Sequence, residues 1–229
     1  MNDVEIYLER LGITLTGEKP SSVYKMEKIV AYAGRSVLDI GCRTGAYVAF
    51  CNALGKQSVG IDIHAPSLAQ ARRQYPTCDF RQISGDDLPF EDKQFDTVLM
   101  WDVLEHIQDD HKALSEALRV ARKNVLISVP KPDEMTHPGI GVTYLHYIDP
   151  EHKRYYTPED IRNLADTCGG KVAQVEHWCR IYPLHLYQTL GIPRPILSVL
   201  DRFFWIIGRN KEPFFRNLFT EIIVSDEVR

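Results

Sequence analysis

A chain of 229 residues, 44% hydrophobic and 25% charged, is long enough for one α/β domain with a full core and too short for two large ones. Its net charge of −4 argues against a protein that works by neutralising phosphate backbones, so nucleic acid is not an expected partner. The opening MNDVEIYLER has neither the basic start nor the apolar core of a secretory signal, and no uncharged run is long enough to span a bilayer; a cytoplasmic address is expected.

The first predicted element is a helix. Val23, Met26, Ile29, Val30 and Ala33 recur at helical spacing between Ser21 or Ser22 as N-cap and Gly34 as stop, within a helical cap over about 1–34. Ser36 to Ile40 reads as a strand, broken by Gly41, and Gly45 to Leu54 as the helix that follows a tight turn. The alternation continues with strand Ser58 to Asp62, helix Pro66 to Tyr75 and strand Asp79 to Ile83. Strand Thr97 to Trp101, a helix from about Asp110 to Arg122 and strand Val125 to Val129 come next. Strands alternating with helices imply a mostly parallel, doubly wound α/β sheet with helices on both faces, and a ligand beyond the carboxyl ends of the strands.

After Pro130 the composition changes. KPDEMTHPGIGVTYLHYIDPEHKRYY is rich in Pro, Gly and His and too long for an ordinary connection, so it is expected to lie over the site. Thr157, Pro158 and Asp160 then start a helix that ends at Gly169-Gly170, and Val172 to Trp178 and Glu221 to Ser225 read as the last two strands. Between them, about 180–216 carries six basic residues against two acidic ones. That is a net charge of +4, leaving −8 for the remainder, around the apolar aromatic run ILSVLDRFFWIIGR. It reads as an insertion into a single domain spanning 1–229. A peripheral membrane contact, a core stripe and a dimer contact are all compatible with this composition. The cysteines, Cys42, Cys51, Cys78, Cys168 and Cys179, are odd in number and never in CxxC spacing, which supports neither a disulfide framework nor a zinc site.

A strand ending near Asp39, the turn Gly41-Cys42-Arg43-Thr44-Gly45 and a helix bring backbone close to a nucleoside ligand. A triphosphate loop would need Gly-Lys-Ser/Thr and a dinucleotide fold G-x-G-x-x-G; neither is present. Asp62 closes the next strand 21 residues after Gly41, about the spacing at which a carboxylate reaches ribose hydroxyls. Helix capping is the alternative use of such a residue.

VLDIGCRTG, VGIDI, GDDLPFEDKQFDTV and WDVLEHIQD, in this order and spacing, closely resemble the motifs of class I S-adenosylmethionine-dependent methyltransferases from about Ser36 to Val129, and HKRYYTPEDIRNLA extends the match more weakly. The resemblance implies a Rossmann-like sheet with an antiparallel last strand. It also implies S-adenosylmethionine as cofactor, S-adenosylhomocysteine as product, and a small-molecule acceptor. Asp39 and the backbone around Gly41, Cys42, Arg43 and Gly45 would then hold the methionine part. Asp62, with Ile63 beside it, would hold the ribose, Asp86 and Asp87 the adenine, and Trp101 and Asp102 would line the pocket. Arg43 stands where the family often has Gly, and ARKN replaces the usual Lys-Pro-Gly-Gly before the fifth strand, reading as a shorter loop.

Methyl transfer from a sulfonium is an in-line displacement, and positioning provides much of its acceleration. His106 is the candidate general base, with a structural role as the alternative. The late loop offers His137, His146, Asp149, His152, Arg154 and Tyr155. No tight spacing among its histidines supports a metal, and His152, Arg154 and Tyr155 are the substrate-facing candidates. The Asn/Asp-Pro-Pro-aromatic motif of nucleic-acid amino methylation is absent. The expected activity is methylation of a small molecule, lipid-like or saccharide-linked; a catalytically idle cofactor-binding or interaction protein is the rival reading.

Overall fold

The computed structural model describes residues 2–132, 150–180 and 215–224, together with Ile196 and Val199. Most of 180–216 and the candidates His137, His146 and Asp149 lie outside the described residues.

Two helices precede the sheet, α1 (Asp3–Arg10) and α2 (Val23–Tyr32). Asn2 and Glu5 close α1 with a capping box, and Ser22 caps α2 by accepting from Lys25 N. The chain then alternates through β1 (Ser36–Ile40), α3 (Ala46–Ala53), β2 (Gln57–Asp62), α4 (Ala65–Gln74), β3 (Asp79–Gln82) and β4 (Phe95–Trp101). A 3-10 turn (Leu104–His106), α5 (Asp110–Val120), β5 (Ala121–Pro130), α6 (Pro158–Thr167), β6 (Gly170–Arg180) and β7 (Phe215–Val224) complete it.

The sheet has seven strands in the order β3-β2-β1-β4-β5-β7-β6. β1 to β5 are mutually parallel, and β7 runs antiparallel to both β5 and β6. Both faces are covered, which is why the central strands read as continuous apolar runs. Alternate residues of each strand serve opposite layers. Leu38, Val98 and Met100 pack with Leu114, Ala117 and Ile161 on one side, while Val37, Leu99 and Trp101 pack with Met26, Ile29 and Phe50 on the other. From β1 the chain winds outward to β2 and β3 on one side and resumes at β4 on the other. The crevice at this switch point is where such a sheet receives a ligand.

One local expectation changes, and one is borne out in detail. ARKN is not a loop, because α5 ends at Val120 and β5 begins at Ala121. Asn124 is buried in the strand, where Thr97 donates to it at 2.7 Å and it donates to Glu221 at 2.8 Å. The helix after Thr157 starts from a true capping box in which Asp160 performs the reciprocal role.

Candidate active site

Asp39, one residue short of the end of β1, is 2% exposed, and its Oδ2 accepts no hydrogen bond among the described residues. Burial pushes its carboxyl up to about 8; the Lys25 ammonium opposes this and the Asp62 charge adds to it. A bare acceptor in the interior is costly until a donor arrives. The turn beyond it is left-handed at three of five positions, Gly41 (φ 73), Arg43 (φ 49) and Gly45 (φ 82). Gly41 N and Cys42 N both donate to Ile61 O, at 2.8 and 3.0 Å, tying the turn to the end of β2. A Cβ on Gly41 would strike the Val103 side chain, and one on Gly45 the Phe80 ring. Packing therefore requires both glycines before any ligand is considered. Arg43 is exposed, so its departure from the family pattern leaves a side chain in solvent and a main-chain N–H in the turn.

That N–H donates to Asp62 Oδ2 at 2.8 Å, and His64 N donates to Asp62 Oδ1 at 2.8 Å. Asp62 thus holds the two chain segments around it and keeps further lone pairs on each oxygen for a ligand. Next to it, Ile63 is 69% exposed, an aliphatic side chain left open beside the carboxylate. After β3, Ser84 donates to Asp86, Asp87 N donates to Ser84 O at 3.3 Å, and Asp87 is exposed. β1, β2 and β3 are parallel, so Asp39, Asp62 and the Asp86-Asp87 turn lie along one edge of the sheet.

Trp101 and Asp102, the residues expected to line the pocket, both have protein partners. Trp101 is 7% exposed and packs in the core layer shared with α2 and α3, against Phe219 at 6.2 Å and Tyr47 at 6.4 Å between ring centroids. The pleat of β4 turns its side chain to that layer. Asp102, at φ 50, spends its carboxylate on protein partners. It pairs with Lys25 Nζ at 2.5 Å, and accepts from Ser128 Oγ at 2.6 Å and from Asn217 Nδ2 at 3.4 Å. Lys25 itself is 4% exposed, with its ammonium 5.3 Å from the Trp178 ring centroid and 5.8 Å from that of Trp101. No local sequence signal singles Lys25 out, since it stands among ordinary helical residues; its charge matters because α2 packs over the carboxyl end of β4.

The 3-10 turn after β4 carries Glu105 and His106. Lys153 N donates to Glu105 O at 2.9 Å, and His106 Nδ1 lies 3.1 Å from Glu151 O, so the end of the late loop is fastened over this turn. His152 meets His106 with ring centroids 4.8 Å apart, and Tyr155 meets His152 at 5.7 Å. Arg154 is turned elsewhere. It pairs with Asp110 at 2.8 Å and donates to Gln108 O at 2.8 Å, a clasp on the start of α5, so its guanidinium is engaged away from the His106–His152 contact. Glu105, 1% exposed, joins His106 and His152 with donor atoms within 4.8 Å of one another, a convergence that spacing within the loop alone does not reveal.

The profile of a methyltransferase domain family matches residues 38–129. The chain is 30% identical over 141 residues to a "probable S-adenosylmethionine-dependent methyltransferase" of Mycolicibacterium smegmatis, covering 61% of this chain and 53% of that protein. It is 34% identical over 126 residues to a demethylmenaquinone methyltransferase of Tropheryma whipplei, covering 52% and 51%. The chain thus spans about half the length of these curated relatives. A solved S-adenosylmethionine-dependent methyltransferase from Archaeoglobus fulgidus superposes with a TM-score of 0.62 at 18% identity, covering 97% of this chain and 100% of that one, a likeness of fold. Residues 38–129 thus match a methyltransferase domain family, and the fold, with its switch-point crevice and the carboxylates along its edge, is that of solved S-adenosylmethionine-dependent methyltransferases.

Proposed function

We propose that the protein transfers the methyl group of S-adenosylmethionine to a small-molecule acceptor and releases S-adenosylhomocysteine. The observation that carries this reading is Asp39 Oδ2, a buried carboxylate oxygen without a donor among the described residues, at the carboxyl end of β1. The ammonium of the cofactor's methionine part supplies the missing donor and a compensating charge. The Gly41–Gly45 backbone borders the methionine part, the remaining acceptor capacity of Asp62 takes the ribose diol, and Ile63 offers an apolar surface to the adenine above the Asp86-Asp87 turn. The cofactor supplies an activated methyl group, and the chain's task is to hold the acceptor in line with it.

His106, His152 and Tyr155 form the acceptor side, where the acceptor's proton is handled. Demethylmenaquinone methyltransferases among the relatives support an acceptor of modest size and lipid-like character, as does the apolar aromatic run within 180–216. Among the described residues no helix is long and apolar enough to cross a membrane.

Calorimetric titration of the native chain and of Asp39→Asn with S-adenosylmethionine tests the cofactor half: saturable binding by the native chain and at least tenfold weaker binding by the variant are expected. A radiolabelled-methyl screen across lipid, saccharide and quinone fractions tests the other half. Absence of binding overturns the proposal, and binding without label transfer to any fraction favours a catalytically idle protein.

A further inference from the structure

We propose that Glu105, His106 and His152 form a binding site for one divalent transition-metal ion of the zinc class. The three come from two stretches of chain, the 3-10 turn after β4 and the end of the late loop, and each presents a donor atom within 4.8 Å of the others. The set is two imidazole nitrogens and one carboxylate, which suits Zn2+, Co2+ or Fe2+ and not the all-oxygen preference of Mg2+ or Ca2+.

Two further observations point the same way. His106 Nδ1 lies 3.1 Å from the main-chain oxygen of Glu151. An N–H at that nitrogen makes the hydrogen bond, which leaves the lone pair of the neutral ring on Nε2. Fixing a ligating imidazole through its other nitrogen is the usual support of a metal-bound histidine. Glu105 is 1% exposed, so a cation bound at its carboxyl group would meet little screening by water. Donor atoms around a tetrahedral zinc stand about 3.3 Å apart, so closing the set from within 4.8 Å asks for a movement of about 1.5 Å. His152, on a loop segment whose neighbour Lys153 is anchored to Glu105 O at 2.9 Å, can supply it by a side-chain rotation.

Three protein ligands leave at least one coordination position open, the arrangement of a reactive rather than a purely structural site. It lies beyond the carboxyl end of β4, on the sheet edge that carries Asp39. An acceptor oxygen at that position would lose its proton to solvent more readily, which makes His106 a ligand rather than the general base. The ion-binding assignment itself is independent of methyl transfer.

The test uses the whole chain, freed of metal by a chelator and titrated with Zn2+ in a calorimeter and with Co2+ in a spectrophotometer. One ion per chain is expected, with visible d–d bands for Co2+ and no sulfur-to-cobalt band in the near ultraviolet. A sulfur band would instead mark Cys168 and His111, whose Sγ and Nδ1 lie 3.9 Å apart, and would overturn the assignment. His152→Ala and His106→Ala should each weaken Zn2+ uptake at least tenfold while S-adenosylmethionine titration reports on the rest of the site, and Mg2+ at equal concentration should not compete. Failure of the native chain to take up one Zn2+, or uptake unchanged in both histidine variants, overturns the proposal. Because His152 lies on a loop, its variant serves where Glu105→Gln disturbs the fold.

Discussion

Arg43 donates its main-chain N–H to the Asp62 carboxylate at 2.8 Å across the mouth of the first crossover. The residue matched to the ribose is therefore also the clamp that holds the turn against β2, with His64 N on its other oxygen. The structure gives this carboxylate the holding role, and the proposed ribose contact would fall on the same side chain. Asp62→Ala should lower stability by about 2 kcal/mol, because two backbone N–H groups lose their acceptor, and should weaken S-adenosylmethionine at least tenfold. Urea unfolding and calorimetry on the same preparation measure both, and an effect on binding alone would refute the clamp.

Asp39 makes cofactor binding a proton-linked event. Burial holds its carboxyl up at about 8 against an ordinary value of 3.8, so near neutrality the free chain carries a proton there that an incoming ammonium must displace. Titration at about pH 7 in buffers of different ionisation enthalpy should show net proton release, close to one per cofactor bound. The folded pKa is the raised one. The stability it confers is thus fully present below 3.8 and lost as pH rises through about 8. Asp39→Asn should flatten that dependence and leave the cofactor-free chain about 2 kcal/mol more stable at high pH, while losing cofactor affinity. A variant no more stable than the native chain above pH 8 would mean that Asp39 is ionised and satisfied there.

How far the sequence discloses all this depends on range. Asp39, the Gly41–Gly45 turn and Asp62 lie within one strand-turn-helix-strand unit, so local spacing suffices to place them on one edge. Lys25 is invisible because its partners are Asp102 and the rings of Trp101 and Trp178, all far away in the chain. The approach of His152 to Glu105 and His106 is hidden for the same reason, since loop closure over about 45 residues leaves no periodic trace. Asn124 explains why ARKN reads as a loop: a polar residue buried in a strand by partners on β4 and β7 has no local signature. The place of β7 between β5 and β6 is likewise a matter of long-range pairing.

Two glycines of nearly equal backbone angle separate conformational strain from packing. A methyl group on Gly45 (φ 82) would meet Phe80 and Ala71, whereas one on Gly55 (φ 76) would meet nothing within 4 Å among the described residues. Gly55→Ala should cost only the left-handed strain, about 1 kcal/mol. Gly45→Ala adds a clash with the Phe80 ring inside a packed cluster and should cost about 3 kcal/mol or more, counting both effects. Thermal unfolding of the two variants measures the difference; equal losses would show that the Phe80 side gives way freely.

The Lys25–Asp102 pair joins α2 to the end of β4 under three aromatic rings, with the lysine side chain 5% exposed and the aspartate 41%. Removing either partner alone has unequal consequences. Asp102→Asn strands a buried ammonium and should cost about 3 kcal/mol or more. Lys25→Met leaves a carboxylate that water already reaches and that Ser128 and Asn217 still support, and should cost less. The double variant should recover much of the loss, because an apolar side chain of similar length among Tyr47, Trp101 and Trp178 replaces the pair without an orphaned charge. Lys25→Met should also raise the Asp39 carboxyl further, since the Lys25 charge that opposes the effect of burial is gone. Its cofactor titration should then release protons up to a higher pH than the native chain does. A double-mutant cycle by urea unfolding, read beside that titration, separates the two roles: additive losses would mean that the 2.5 Å contact carries no coupling, and an unmoved proton release would mean that Lys25 does not act on Asp39.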